Sequence, residues 1–301
     1  MQAAVGHGRR ALPYRHGSGR GDARIMRHPR QSLKARSHDE HSGRLHSRPV
    51  DPCASWQPWQ DLFGERGHET LAPGWPGEAD SAEATRADPD ATAGFGVDDI
   101  TEAYAKTLAT LGTPPIVVGH SFGGLIAQKL LSRGQAAAAV AISPAPIKGI
   151  RVLPPSLLRS SLPVLSRPTN KRKAVALTEK QFAYAFGNAL PRSESDELYR
   201  HWAIPSPGRP LFEASSANFT RNAPTAIDTG RGDRGPLLLV AAGKDHTVPA
   251  VVVRAAHRLY AGSGSVTEIV TYADRGHSAP FDHGWRELAD DTLAWLARQG
   301  L

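Results

Sequence analysis

The sequence predicts an α/β fold: a doubly wound, mostly parallel sheet interrupted by an inserted helical segment. Three observations predict it. Apolar runs of strand length occur at 115–118, 138–142 and 236–242, the composition of strands buried on both faces. Segments of helical spacing alternate with them, which calls for parallel strands joined by crossover helices. Residues 147–230 break the alternation with Pro-rich connectors and aromatic-bearing helical pieces, so an insertion is expected there.

At 301 residues the chain suffices for one large domain. No run approaches the roughly 18 apolar residues of a membrane span, so no integral membrane association is expected. The single cysteine, Cys53, leaves no internal disulfide and suits a reducing, cytoplasmic setting. The net charge of +7 resembles that of a nucleic-acid binder, but its distribution argues otherwise. Residues 1–50 carry 11 Lys and Arg against 3 Asp and Glu, so the remaining 251 residues sum to −1. The leader lacks interleaved aromatic residues, and no nucleic-acid partner is expected. Arg, His, Gly and Ser dominate it without a period of 2 or 3.6, so residues 1–53 read as a disordered basic leader. Residues 54–301 read as the folded domain.

Within that domain, Trp56, Trp59, Leu62 and Phe63 recur at helical spacing up to Gly64 or Gly67. Glu69–Pro73 reads as a short strand, and the polar stretch 78–96 as loop. Asp98 and Asp99 open a helix beside its positive end, with Ile100, Tyr104, Leu108 and Leu111 on its buried face and Gly112 and Pro114 ending it. The strand at 115–118 leads into a helix from Leu125 that stops at Gly134, and Ala138–Ile142 forms the next strand. In the insertion, Phe182, Tyr184, Phe186, Tyr199, Trp202, Phe212 and Phe219 supply a hydrophobic lining or a core of its own. Alternation resumes with a strand at 236–242, a helix from Pro249 to Tyr260 and a strand at 266–272. A final helix runs from about His283 to Arg298, with Asp282 as its N-cap and Trp285, Leu288, Leu293, Trp295 and Leu296 for packing.

The chemistry-bearing stretch is Gly119-His120-Ser121-Phe122-Gly123, set between a buried-type strand and a helix. Strand, sharp turn and helix make Gly-x-Ser-x-Gly a nucleophile elbow, in which a strained serine stands clear of the sheet. Gly119 and Gly123 let strand and helix pass closely. The Phe122 N–H, at the helix start, points where an oxyanion would form. Serine needs a base to take its proton, and the base needs a carboxylate to hold its tautomer. Asp245 follows one predicted strand and His277 the last, and such loops gather at one edge of a parallel sheet. Asp245 also reads as a plain turn residue, and His246, Asp274 and His283 are rivals better suited to surface or capping positions. The loop after Ile142 reads Ser143-Pro144-Ala145-Pro146 and holds no carboxylate, which favours Asp245.

Over about residues 54–301 the chain resembles the α/β-hydrolase superfamily, which uses the chain order Ser, Asp, His. The resemblance implies Ser121 as nucleophile, Asp245 as acid, His277 as base and the Phe122 N–H as one oxyanion donor. It implies a lid at about 147–230, no cofactor, no metal, and a small ester or acyl substrate, which the aromatic residues of that segment suggest is hydrophobic. The reading is a serine hydrolase working through an acyl-enzyme. A non-catalytic protein of the same fold and a cofactor-free perhydrolase remain the alternatives.

One part of the pattern is missing. The family has an apolar strand ending in His-Gly before the first helix, supplying a second oxyanion N–H. Residues 41–53 carry Arg44, Arg48 and two prolines instead. Codons permitted for 41–53, read one nucleotide later, can encode Thr-Pro-Val-Val-Phe-Ile-His-Gly-Leu-Trp-Ile-His, so a frame-shifted reading would restore the strand. Loss of one such donor costs on the order of 10²–10³ in rate.

Overall fold

The computed structural model of the protein describes residues 3–7 and 55–301. The sheet order is β2 (Glu69–Leu71), β1 (Ala3–His7), β3 (Ile116–His120), β4 (Ala138–Ile142), β7 (Leu237–Ala242) and β8 (Thr267–Tyr272). Its parallel part is β3, β4, β7 and β8. Every residue of β3, β4 and β7 is buried, as their uninterrupted apolar composition requires.

Alternate side chains of these strands enter two cores. Val117, Ala139, Ala141, Leu237 and Leu239 face α3 (Val97–Ala109), α4 (Phe122–Ser132) and α9 (Ala250–Leu259), meeting Ile100, Leu125, Leu130 and Val252. Ile116, Val118, Val140, Leu238 and Val240 face the other way, against α1 (Gln57–Glu65) and α10 (Trp285–Arg298), meeting Trp59, Leu62, Leu288 and Trp295. The period of two places one apolar set on each face, which makes the sheet doubly wound. Trp56 and Trp59 are fully buried and pack edge to face, 5.4 Å between ring centroids.

Three expectations are corrected here. First, Ala3–His7, inside the stretch read as a disordered leader, form strand β1. β1 pairs antiparallel with β3, Ala3 opposite Gly119 and Gly6 opposite Ile116, and on its other side with β2 (Glu69–Leu71). The exposed backbone edge of β3 must find donors and acceptors, and a short Ala-Ala-Val run meets that demand without helical competition. The remaining leader, with the frame-shift reading at 41–53, lies outside the described residues.

Second, the polar stretch 78–96 is not simply loop. α2 (Ala82–Ala87) and a 3₁₀ turn at Pro89–Thr92 form within it. Ser81 caps α2, its hydroxyl accepting from the Ala84 N–H at 3.0 Å, and Ala82 and Thr85 are buried.

Third, Asp282 does not cap α10, which starts later, at Trp285, behind Gly284. Its carboxylate is drawn instead into an ion pair with Arg275 and accepts from Ser278 Oγ at 2.9 Å and the Gly284 N–H at 3.1 Å. A buried carboxylate needs a cation and several donors, and the preceding loop offers both.

Between β4 and β7 lie α5 (Pro155–Leu165), β5 (Ala174–Val175), α6 (Glu179–Ala185), α7 (Arg192–Trp202), β6 (Ser206–Pro207) and α8 (Arg209–Ser216). β5 and β6 pair only with each other, so this segment adds nothing to the main sheet. Phe182 is buried in it and stacks on Phe186, whereas Phe219 is almost wholly exposed. No described helix is long and apolar enough to cross a membrane.

Candidate active site

Ser121 lies between β3 and α4 with φ 55° and ψ −119°, in the left-handed half of conformational space that serine rarely enters. Three backbone hydrogen bonds hold it there. Its N–H donates to the Ile142 carbonyl at 2.9 Å, and its own carbonyl accepts from Leu125 at 3.1 Å and Ala145 at 2.9 Å. One residue further along the neighbouring strand, Ser143 also has positive φ, 40°, and donates its N–H to the Val240 carbonyl at 2.8 Å. Strain of this kind persists where surrounding bonds over-determine the backbone. Gly119 is needed because a Cβ there would overlap the Gly123 carbonyl. Phe122 opens α4, so its N–H falls among those a helix cannot satisfy internally.

Asp245 and His277 come from the loops after β7 and β8. These loops are tied by Gly243 N–H to Tyr272 O at 2.8 Å and Lys244 N–H to Arg275 O at 2.9 Å. The tie brings Asp245 Oδ2 to 2.7 Å from His277 Nδ1, with both side chains buried. Asp245 Oδ1 accepts from the N–H groups of Thr247 and Val248, each at 2.7 Å. Burial pushes the Asp245 carboxyl up. The charge and hydrogen bond of His277, the Val248 N–H and the Ser143 hydroxyl outweigh burial, and hold its pKa below the ordinary carboxylate value.

With Nδ1 engaged, His277 has Nε2 left, and that atom is buried without a hydrogen-bond partner among the described residues. Ser121 is 2% exposed and His277 0%. The ring of His120, next to Ser121, lies 4.5 Å from that of His277. The structure thus bonds Asp245 to His277 and sets Ser121 at the end of β3, with β4 between it and the strands that carry the pair and no hydrogen bond from His277 Nε2 to the serine. Such bonds are often loose before a substrate arrives.

The rivals go elsewhere. His246 Nδ1 lies 3.1 Å from the Tyr184 carbonyl. Asp274 is exposed and pairs with Lys244 at 3.2 Å, and exposed His283 meets Glu194 at 2.9 Å.

Several contributors were not legible as site residues. Phe186, at the end of α6, packs edge-on against His277, 4.8 Å between ring centroids. The same segment clasps the acid loop. Asn188 Nδ2 donates to the Lys244 carbonyl at 2.6 Å, Thr247 Oγ1 to the Ala185 carbonyl at 2.7 Å, and Ser160 Oγ to the His246 carbonyl at 3.1 Å. Beyond His277, Trp59 Nε1 donates to the Pro280 carbonyl at 2.9 Å and Trp56 packs on Phe281. The first helix therefore buttresses the histidine loop. Aromatic content was the only sequence signal for Phe186, and nothing local marked Pro280 as an acceptor.

His120 is fully buried, and neither ring nitrogen has a hydrogen-bond partner among the described residues. Burial, reinforced by His277, holds its pKa well below the ordinary histidine value. The ring stays neutral in the fold and takes up a proton on unfolding once the pH is below about 6.5. The unfolded state then binds more protons, so stability falls with falling pH, by a total of about 1.4 kcal/mol between about pH 7.5 and 5.5. Asp245 adds nothing in this window, because its contribution is lost only as pH falls from about 3.9 towards its lower folded value. His120→Phe should remove the increment. Urea unfolding at about pH 7.5 and 5.5 checks this, and equal acid losses in both proteins would refute it.

A mostly parallel α/β sheet, a strained serine at a strand–helix turn and a bonded acid–histidine pair at neighbouring strand ends together define a hydrolase-like class of α/β protein. The chain belongs to the alpha/beta hydrolase family, whose model matches residues 41–291. Among curated proteins nothing matches the sequence. Solved structures with a similar fold include a monoacylglycerol lipase from Paleococcus ferrophilus, 19% identical with a TM-score of 0.55, covering 84% of this chain and 92% of that one. A methylesterase from Arabidopsis is 15% identical with a TM-score of 0.56, covering 83% and 95%. A thermophilic esterase from Thermogutta terrifontis is 14% identical with a TM-score of 0.56, covering 83% and 87%. At these identities the likeness is one of fold.

Proposed function

We propose that the protein is a serine hydrolase that cleaves a carboxylic ester or related acyl bond through an acyl-enzyme on Ser121. The observation that carries the reading is the 2.7 Å bond from His277 Nδ1 to Asp245, which leaves Nε2 as the ring's available proton acceptor. In this mechanism Ser121 Oγ attacks the carbonyl carbon while its proton passes to His277 Nε2, and the oxyanion forms beside the Phe122 N–H. The tetrahedral adduct collapses, the C–O bond to the alcohol breaks, and Nε2 returns the proton to the departing oxygen. Water then repeats the sequence on the acyl-enzyme, releasing the acid and restoring Ser121.

The segment at about 147–230 acts in this reading as a lid. Phe186 over His277 and the contacts to residues 244–247 support it, and the aromatic side chains favour a hydrophobic acyl or alcohol group. A cytoplasmic location, suited to the single cysteine, belongs to the same proposal.

Fluorophosphonate labelling of the protein beside its Ser121→Ala variant tests the reading, because the probe needs an activated serine. Labelling that disappears in the variant is the expected result. A second reading, a non-catalytic protein of this fold, is favoured by the direction of β1. Running antiparallel to β3, β1 carries its C-terminal end towards Ile116 and away from Ser121, so that end brings no second oxyanion donor to the serine. Folded protein that takes no label in either form would favour this alternative.

A further inference from the structure

We propose that the outer face of α5, with the basic segments that flank it, docks on an anionic lipid surface. Among the described residues seven large apolar side chains are exposed, and three fall within residues 153–162: Leu153 at 61%, Leu158 at 44% and Leu162 at 57%. Leu158 and Leu162 lie one turn apart on α5, so they form a ridge. The adjoining face of the helix is accounted for, since Leu157 packs on the core beneath and Ser161 is buried. The ridge therefore faces water with no partner in the fold.

Charge identifies what the ridge meets. Residues 151–180 hold seven Lys and Arg and one acid, Glu179, a balance of +6 in a body whose other residues sum to −7. Glu179 pairs with Arg192, and among the described residues none of the seven cations makes an ion pair. All seven are exposed. Arg159 lies beside the leucines on α5, Arg151 precedes the helix, and Arg167 with the Lys171-Arg172-Lys173 tract follows it. A cavity of about 200 Å³ beside α5 is lined by Arg159, Ser160, Pro163, Lys180, Gln181 and Tyr184, and two of these residues carry positive charge. It offers a seat for one phosphate headgroup.

Leucines that enter the boundary between headgroups and acyl chains, ringed by cations that meet the phosphates, form the pattern of an interfacial helix. A nucleic acid would satisfy the cations and leave the leucines in water. Docking here is independent of serine chemistry, and a Ser121→Ala variant should bind equally well.

Flotation of the full chain with vesicles tests the proposal. Phosphatidylcholine vesicles containing about 30 mol% phosphatidylglycerol are compared with phosphatidylcholine alone, in about 0.1 M salt. Affinity for the anionic vesicles should exceed that for the neutral ones by about tenfold or more. Leu158→Ser/Leu162→Ser and Lys171→Glu/Arg172→Glu should each lower it by about tenfold, with unfolding temperatures unchanged because these side chains are exposed. Both variants retain residues 1–50, so binding through the basic leader would survive in them. Wild-type binding that persists in either variant, or no wild-type preference for anionic vesicles, overturns the proposal. Loss in the charge variant alone, with heparin displacing the vesicles, would mark a general polyanion surface and overturn it as well.

Discussion

Asp245→Asn should lower kcat by about 10⁴-fold with little change in KM or in stability towards urea, the scale of an acid-to-amide change in a serine–histidine–acid triad. The direction follows from the hydrogen bonds around the carboxylate. Oδ1 accepts two backbone N–H groups, from Thr247 and Val248, so the amide NH₂ cannot occupy that position without facing two donors. It must replace Oδ2, the atom that meets His277 Nδ1. A donor facing Nδ1 makes that nitrogen the acceptor and moves the ring proton to Nε2. Nε2–H cannot take the serine proton, and activity falls although the site keeps its shape. Steady-state kinetics on a p-nitrophenyl ester would check this, with fluorophosphonate labelling slowing in parallel. A loss smaller than about tenfold would mean that Asp245 does not set the tautomer of His277.

Asp282→Ala should cost about 3 kcal/mol of stability. Its carboxylate is 1% exposed and Arg275 only 14%, so removing the acid leaves a mostly buried guanidinium unpaired. Breaking such a pair typically costs about 3–5 kcal/mol, and the residual exposure of Arg275 argues for the lower end. For a domain of this size the expected fall in melting temperature is about 6–12 °C. The pair also brackets His277 within its loop, because Arg275, Ser278 and Asp282 all take part, so turnover should fall beyond the loss of folded protein. A melting temperature within about 2 °C of wild type would show that the network contributes little.

Much of the sheet and part of the site are legible from residue order alone. β3, β4 and β7 are uniformly apolar, and such a run is stable only when covered on both faces, so parallel strands with helices on each side follow directly. The elbow is legible for a related reason, since the overlap a Cβ at Gly119 would meet is a local consequence of strand turning into helix. Asp245 and His277 are legible through connectivity, because loops after parallel strands open at one edge.

What the sequence by itself determined is therefore local or periodic: the buried strands, the helices with a clear apolar stripe, and the strained serine between them. The tertiary structure decided the rest, because the partners are distant in the chain. Ala3–His7 become a strand only because β3 has a free backbone edge. α2 forms in a polar stretch because Ser81 caps it and the fold buries Thr85. Asp282 abandons the helix it precedes because Arg275 and Ser278 together satisfy a buried carboxylate better than one helix terminus does. Phe186 reaches His277, and Trp59 reaches Pro280, across separations no sequence period encodes. Periodicity reports the face a residue buries, and only the packed chain decides what that face meets.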